Sequence, residues 1–362
     1  MFSFTQPTKR TLRHSVIAAI AAVALTACGG SSSSNSSDTS ATTTQDGAVD
    51  LRGQTITVYS GRNETLMAPL FAQFTKDTGI TVDIRYGDSG EMAALILTEG
   101  DKSPADLYFS QDAGALGAVE DAGLLATLPD DITTLVEPQY RSTNNQWIAT
   151  SGRARVVVYN TELVATPPAS LDELLDPQWK GKIGYAPSNA SWQSFVTALR
   201  VTRGEDAART WLEGFAANQP VAFEKNGVVR DAVNAGEVSL GLINHYYLYE
   251  LISKVGQDNV VAKNHYFKDG EAGSLVNIAG VGILTSSSKS AAAQALVRYL
   301  LSTAGQSYFT LRTFEYPMTP GVIPFYELPT LEELNPPAID LADLRSLETT
   351  QAMLSEVGLL TK

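Results

Sequence analysis

Short apolar runs alternate along the chain with longer segments in which apolar residues recur at helical spacing. Residues 56–59 and 80–84 are short β-branched runs that predict strands. Between them, residues 64–77 carry leucine and phenylalanine along one helical face and stop before Gly79, which predicts a helix. The alternation continues through a helix, a strand and a helix, predicted over residues 91–97, 105–109 and 114–122. Strands that alternate with helices of this length favour parallel sheets with βαβ crossovers.

The later part of the chain repeats this pattern after one long strand. Residues 153–159 form a β-branched run suited to a strand that crosses between two lobes, and a second strand–helix series follows over residues 182–261. A third apolar region, residues 276–284 with a helix over 291–301, is expected to return to the first lobe. We therefore predict two α/β lobes with a cleft between them. Their predicted ranges are 54–153 with 277–327 for lobe 1, and 154–276 with 328–362 for lobe 2.

The first residues have the parts of a bacterial export signal. A basic stretch is followed by an apolar run over residues 15–25, which is too short to span a bilayer. The segment Leu25-Thr26-Ala27-Cys28 resembles a lipobox, which predicts a signal peptide over 1–28 and a lipidated Cys28. A buried free cysteine in a cytosolic protein is the alternative. Residues 29–53, rich in Ser and Thr, predict a flexible tether, so the folded body is expected in the periplasm or on the outer face of the cytoplasmic membrane.

Two adjacent tyrosines, Tyr246 and Tyr247, mark a candidate site. They follow the apolar run 238–243, a predicted buried strand, and precede residues 248–254, which have an amphipathic helical pattern. Open α/β sheets bind their ligands at the carboxyl ends of strands. A tyrosine there can hold a hard cation as a phenolate. The alternative is that two aromatic residues merely cap a strand.

Composition narrows the chemistry of such a site. The net charge of -13 argues against a nucleic-acid partner, because phosphate backbones need a basic surface. With 1 Cys, 3 His and 5 Met against 14 Tyr, a bound metal is expected to meet oxygen rather than nitrogen or sulfur. The sequence carries no phosphate-binding P-loop and no HExxH zinc motif. The tetrapeptide 87–90 matches the surroundings of a serine-protease nucleophile, but Ser89 lacks a plausible base histidine, and we interpret it as a turn.

A loop of small polar residues predicts an anion site. An apolar strand ends at Tyr185, residues 186–190 follow, and a helix is predicted to begin near Ser191. Free backbone amides and the helix dipole at such a helix start attract anions. The alternative is simple N-capping by Ser188 or Asn189. Asn226 and Asn244 each lie near a predicted strand end, where either contributes an amide to the anion or caps a turn.

Several segments, in order along the chain, resemble one known family. They include residues 57–61, 100–106, 121–125, 151–159, 179–185 and above all 242–247. The family is that of the periplasmic ferric-ion-binding proteins of ABC transporters, the bacterial transferrins, and the similarity runs from residue 55 to residue 360. It implies a type II periplasmic-binding-protein-like fold and a non-enzymatic, monomeric receptor that hands Fe³⁺ to a membrane permease.

The resemblance also implies residue roles. Tyr246 and Tyr247 match the paired iron ligands of the family. A synergistic anion, phosphate or carbonate, is expected to be held by the loop after the second-lobe strand and by nearby amides and a cation: Ser188, Asn189, Ala190, Ser191, Asn226, Asn244 and Arg153.

The first lobe departs from the family pattern. One branch has a histidine and a glutamate where this chain has Asn63 and Gln111; another has Arg-His-Tyr where this chain has Arg62-Asn63-Glu64, and a loop tyrosine near Trp192. Glu64, Asn63 and Gln111 are the candidate first-lobe ligands. The alternatives are that Glu64 is a first-turn acid favoured by the helix dipole and that Asn63 is the N-cap of the same helix. The rival functions are binding of a small anion or organic acid on the same scaffold, and a secreted hydrolase that uses Ser89.

Overall fold

The computed structural model describes residues 50–268, 270–324, 326 and 328–361. The predicted signal peptide, Cys28 and nearly all of the predicted tether lie outside the described residues. Within those ranges, no helix is both long and apolar enough to cross a bilayer.

Strands and helices alternate as the sequence predicts. The strands of the described chain are β1 Thr55–Ser60, β2 Thr81–Tyr86, β3 Leu107–Ser110, β4 Trp147–Asn160, β5 Ile183–Tyr185, β6 Val221–Ala222, β7 Leu240–Asn244, β8 Ala262–His265, β9 Val276–Ile283 and β10 Tyr316–Pro317. The α-helices are α1 Glu64–Thr78, α2 Ser89–Glu99, α3 Ala113–Asp121, α4 Asp130–Thr133, α5 Ala190–Arg203, α6 Glu205–Ala217, α7 Asn226–Ala235, α8 Tyr246–Val255, α9 Ser290–Leu301, α10 Thr303–Tyr308, α11 Leu331–Leu334 and α12 Leu347–Glu356. A π-helical turn, Phe309–Thr313, follows α10.

The strands form two sheet regions that share β4. The first has the order β2-β1-β3-β9-β4, with β1 parallel to both β2 and β3 and β9 antiparallel to β3. The second has the order β4-β7-β5-β6, with β5 parallel to both of its neighbours and β8 added beside β4. The predicted βαβ crossovers are present, and β9, within the predicted apolar region 276–284, pairs with β3 of the first sheet region. The antiparallel β4 and β9 between the parallel strands are not apparent from local patterns.

Strand β4 connects the two lobes. Its residues up to Ala154 pair with β9, whereas Arg155 and the residues after it pair with β7. The change of partner falls inside one continuous, buried strand. The two-lobe α/β fold with a crossing strand, predicted from the sequence, is therefore confirmed.

The C-terminal segment contacts elements of both lobes. A Cβ atom on Gly114 of α3 would meet the Leu344 carbonyl oxygen at 2.6 Å, so this glycine allows close approach of the two backbones. The contact with the second lobe is made by α12, where the Thr350 hydroxyl lies 2.7 Å from the Thr197 hydroxyl of α5. The lobe ranges assigned from the sequence stay a prediction.

Two local expectations differ from the structure. Residues 87–90 do not form an isolated turn: Asp88 caps α2 in a capping box with Glu91, and the helix begins at Ser89. Helix α8 begins at Tyr246, earlier than the amphipathic pattern indicates. The tyrosine pair consequently lies in the first turn of a helix, where the helix fixes the direction of both side chains.

Candidate metal and anion site

The carboxyl ends of strands from both lobes surround one cleft of about 890 Å³. The first lobe contributes the segments that follow β1, β2 and β3, and the second lobe those that follow β5, β6 and β7. Parallel strands bring their carboxyl ends to one edge, which is why segments distant in sequence converge here. The lining includes all but two of the predicted metal and anion residues: Asn63, Glu64, Gln111, Arg153, Asn189, Ala190, Ser191, Asn244, Tyr246 and Tyr247.

Tyr246 and Tyr247 stack on each other just after the carboxyl end of β7. Their ring centroids lie 4.4 Å apart with an interplanar angle of 30°. Tyr246 is 8% exposed, and Tyr247 is half-buried. Burial raises the pKa of Tyr246 well above its ordinary value, and the neighbouring Tyr247 raises it further, while Arg153 acts in the opposite direction. Tyr246 therefore stays protonated unless a cation binds beside it.

His245, the residue directly before the pair, is held by hydrogen bonds on several sides. Its Nδ1 accepts a hydrogen bond from the Ala154 backbone N–H at 3.2 Å, so Nε2 carries the proton and donates to the Phe314 carbonyl at 2.9 Å. Asn264 donates to the His245 carbonyl at 2.9 Å. Burial lowers the pKa of His245 to about 4, which keeps the ring neutral at physiological pH. The backbone that carries the tyrosines is thus held on several sides.

Two arginines on β4 place positive charge behind the tyrosines. Arg153 lines the cleft and donates to the backbone carbonyls of Gln111 and Ile278. Arg155 is 4% exposed; it donates to the Leu242 carbonyl at 2.9 Å and to Ser191 Oγ at 3.3 Å. Burial lowers the pKa of Arg155 to about 9, and the charges of Tyr247 and Tyr246 oppose this change. Arg155 forms no salt bridge within the described residues, so it is a buried cation whose natural counter-charge is an ionised tyrosine or a bound anion.

The predicted anion loop is a hydrogen-bonded cluster. Asn189 caps α5: its Oδ1 accepts from the Ser191 backbone N–H at 2.9 Å and from Ser191 Oγ at 2.7 Å. Asn226, at the start of α7, donates to Asn189 Oδ1 at 3.1 Å and to Ser191 Oγ at 2.9 Å. Asn189 is therefore the N-cap of α5, as the capping alternative predicts. The same cluster also brings a helix N-terminus and several hydrogen-bond donors to one wall of the cleft, which is compatible with an anion site.

The first-lobe candidates have different surroundings. Asn63 is the N-cap of α1, and its side chain accepts from the Leu66 N–H at 3.4 Å. Glu64 is the first residue of that helix and is exposed to the cleft. The Gln111 backbone is fixed by Ser89 Oγ, which accepts from its N–H at 2.8 Å. Asn63 as the N-cap and Glu64 as a first-turn acid thus both agree with the structure, and Glu64 also lines the cleft.

Four residues that the sequence singled out are not part of the cleft lining. Ser188 and Asn226 are not among the lining residues, although Asn226 contacts residues that are. Trp192 is 0% exposed and packs against Tyr185, Phe195 and Phe215, so it belongs to the core. Ser89 uses its hydroxyl to accept from the Gln111 N–H, a structural contact.

Sequence reasoning missed Arg155, His245 and Arg230. Arg230 on α7 donates to the Tyr247 carbonyl at 2.9 Å and lies 3.6 Å from the Glu250 carboxylate, and both contacts connect α7 to α8. One signal was available for Arg155: residues two apart on a strand share a face, so Arg153 and Arg155 must point the same way. The contacts of His245 and Arg230 depend on tertiary structure. Among the described residues, no group of three or more His, Cys, Asp or Glu side chains is arranged to hold a metal.

Comparison with known proteins gives consistent similarities. Residues 91–346 match the family model described as bacterial extracellular solute-binding protein. An "Fe(3+)-binding periplasmic protein" of Serratia marcescens is 37% identical over 310 residues, which cover 85% of this chain and 91% of the relative. The crystal structure of iron-bound HitA from Pseudomonas aeruginosa superposes with a TM-score of 0.78 at 34% identity, covering 84% of this chain and 100% of that one.

A second solved structure adds a ligand. A Trichodesmium protein in complex with iron and citrate superposes with a TM-score of 0.71 at 27% identity, covering 84% of this chain and 99% of that one. The relatives are named as binding proteins, and the expectation of a binding protein without catalytic turnover is confirmed by these similarities.

Proposed function

The chain belongs to the bacterial extracellular solute-binding protein family, and from that premise we propose that it binds ferric iron in the cleft between its lobes. Tyr246 and Tyr247 are the proposed principal ligands, both as phenolates. The observation that carries the proposal is the stacked pair itself, two phenols 4.4 Å apart between ring centroids at a strand end that faces the cleft. Ferric ion is a small hard acid that prefers oxygen donors. The iron-binding relatives support the same cargo.

In this proposal, metal binding is coupled to the release of phenol protons. The raised pKa of Tyr246 means that this residue keeps its phenol proton at neutral pH in the free site. A trivalent cation beside a phenol favours the ionised form strongly. Iron therefore displaces the protons, and the affinity falls as the pH falls. Arg153 and Arg155 stabilise the same phenolates.

An anion completes the charge balance in this proposal. Two phenolates cancel only part of the ferric charge. The second-lobe wall carries Lys225 and the start of α5, and Arg153 of the crossing strand also lines the cleft. Phosphate or carbonate there would be bound by residues 188–191 with Asn226, Asn244 and Arg153. The citrate in one structural neighbour supports a carboxylate as a further candidate for the anion.

Glu64, Asn63 and Gln111 are the proposed first-lobe contacts. Of these, Glu64 supplies a carboxylate, whereas Asn63 has its side-chain oxygen engaged as an N-cap. Iron that bridges the two lobes favours the closed arrangement, as does any ligand that binds one state better than another. The loaded receptor, anchored through lipidated Cys28 and monomeric, then delivers iron to an ABC permease.

A second candidate function is the binding of a small anion or organic acid without iron. The observation that favours it is the set of cations at the second-lobe wall, where Arg155 is buried without a carboxylate partner among the described residues. In that case, the tyrosines would donate hydrogen bonds or stack on the ligand.

Titration of the purified protein with a ferric chelate tests the proposal. Wild type is expected to develop a visible phenolate-to-iron charge-transfer band, which weakens in Tyr246→Phe and in Tyr247→Phe and is lost in the double variant. Tyr249→Phe is the matched control, because Tyr249 is on the same helix but outside the cleft lining.

The outcomes separate the candidates. Iron binding without a visible band would contradict the phenolate ligands. Absence of iron binding together with calorimetric binding of phosphate, a phosphonate or citrate would favour the second candidate.

A further inference from the structure

Tyr86 brings a third phenol to the cleft, from the lobe opposite the tyrosine pair. It is the last residue of β2 and pairs in register with Ser60 at the end of β1. That position puts it at the same sheet edge as Asn63 and Glu64, and its side chain lines the cleft together with Tyr246 and Tyr247. Strand ends are where this fold collects its ligand contacts.

The Tyr86 hydroxyl has no hydrogen-bond partner within the described residues, although its oxygen is buried. Buried polar groups are nearly always paired, because an unpaired one destabilises the fold. The residue as a whole is only partly buried, whereas its hydroxyl oxygen is fully buried. A phenol held in this way is available to a ligand that enters the cleft.

The charges around Tyr86 favour a cation. The Glu64 carboxylate belongs to the same cleft lining as Tyr86. Asp88 also lines this wall, whereas Arg62 is paired with Glu315. On the second-lobe wall, Lys225 and Arg230 line the cleft together with Asp231, to which Arg230 is paired. A trivalent cation between the two walls meets oxygen donors on the first-lobe side and leaves Lys225 to an anion.

We propose that Tyr86 is the ligand through which the first lobe closes on the ferric ion, with the Glu64 carboxylate beside it. This inference rests on the proposed function and names the first-lobe contact of that same site. On binding, the Tyr86 O–H bond breaks, its proton leaves to solvent, and the phenolate oxygen donates an electron pair to the metal without a change of oxidation state. The first lobe thereby supplies a strong ligand even though Asn63 and Gln111 are weak ones.

The test compares Tyr86→Phe with wild type during titration with a ferric chelate. We expect the charge-transfer absorbance per bound iron to fall by about one third, because one of three phenolate donors is lost. Release of iron to a competing chelator should accelerate about tenfold or more, the equivalent of roughly 1.4 kcal/mol. The iron-free variant should unfold at the same temperature as wild type or higher, since an unpaired buried hydroxyl is removed.

Tyr140→Phe is the matched control. Tyr140 is a buried tyrosine outside the cleft lining, and its substitution should leave both the band and the release rate unchanged. A wild-type band that is identical in Tyr86→Phe, with equal release rates, would overturn the assignment of Tyr86 and leave the tyrosine pair intact. A wild type without any band would overturn the ferric function and this inference together.

Discussion

Arg62 and Glu315 form a buried ion pair between residues 253 positions apart in the chain. Both guanidinium Nη atoms donate to the carboxylate oxygens at 3.0 Å, and the side chains are 2% and 3% exposed. Arg62 follows β1, whereas Glu315 lies between Phe314, whose carbonyl accepts from His245, and β10. The pair therefore connects the first-lobe rim of the cleft to the segment that holds the tyrosines in place.

Breaking this pair should destabilise the protein strongly. Arg62→Met leaves the buried Glu315 carboxylate without its main partner, and we expect a loss of about 3–5 kcal/mol of unfolding free energy. Replacing both residues, as in Arg62→Met with Glu315→Leu, should recover most of that loss because no charge is then left buried alone. Urea denaturation of the three proteins measures this. A double variant as unstable as the single one would contradict the explanation.

The same pair gives a pH dependence. Burial tends to raise the pKa of Glu315, but Arg62 and Arg153 outweigh burial and hold it below its ordinary value. A carboxylate with a lowered folded-state pKa contributes stability that is present above the unfolded-state value of about 4.3 and is lost as the pH falls through the folded-state value. Wild type should therefore lose stability below about pH 4, and Glu315→Gln should show a shallower acid dependence. Parallel curves for the two proteins would argue against this.

Removing the buried charge of Arg155 should separate stability from binding. Arg155→Met eliminates a cation whose burial is costly, so the unfolding free energy of the iron-free protein should stay within about 1 kcal/mol of wild type or rise. Ferric affinity should fall about tenfold or more, because a cation near the phenolates stabilises their ionised form. Chelator competition and thermal unfolding measure the two effects. Arg155→Lys keeps the charge and should retain more affinity; equal losses in both variants would point to shape rather than charge.

The anion site predicts a specific effect of Asn226. Its amide donates to Asn189 Oδ1 and Ser191 Oγ, so Asn226→Asp replaces a donor with a negative charge beside the proposed anion. Wild type should retain iron better when phosphate is added, and the aspartate variant should lose that dependence, while Asn226→Ala keeps part of it. The measurement is iron release to a chelator with and without phosphate. Unchanged phosphate dependence in Asn226→Asp would exclude this wall as the anion site.

Much of the architecture follows from local patterns. The period of the apolar residues predicted β1, α1, β2 and the strand that ends before the tyrosine pair, because a strand or helix that buries one face must repeat apolar residues at its own period. The β-branched run 153–159 predicted a crossing strand. The lipobox interpretation of Cys28 stays a prediction. Helix starts were less accurate: Ser89 and Tyr246 begin helices earlier than their apolar patterns indicate, since capping and tertiary packing determine the first turn.

The sequence by itself determined the candidate pair, Tyr246 and Tyr247, and its position after a buried strand. Only the tertiary structure decided what faces that pair. The antiparallel return of β9, the Arg62–Glu315 contact and the arrival of Tyr86 at the cleft all join residues that no short segment contains. A local pattern of apolar residues indicates which face of a helix or strand is buried. Which other element covers that face depends on how the elements pack. That packing brings the phenol of Tyr86 to the first-lobe side of the cleft, which no local pattern indicates.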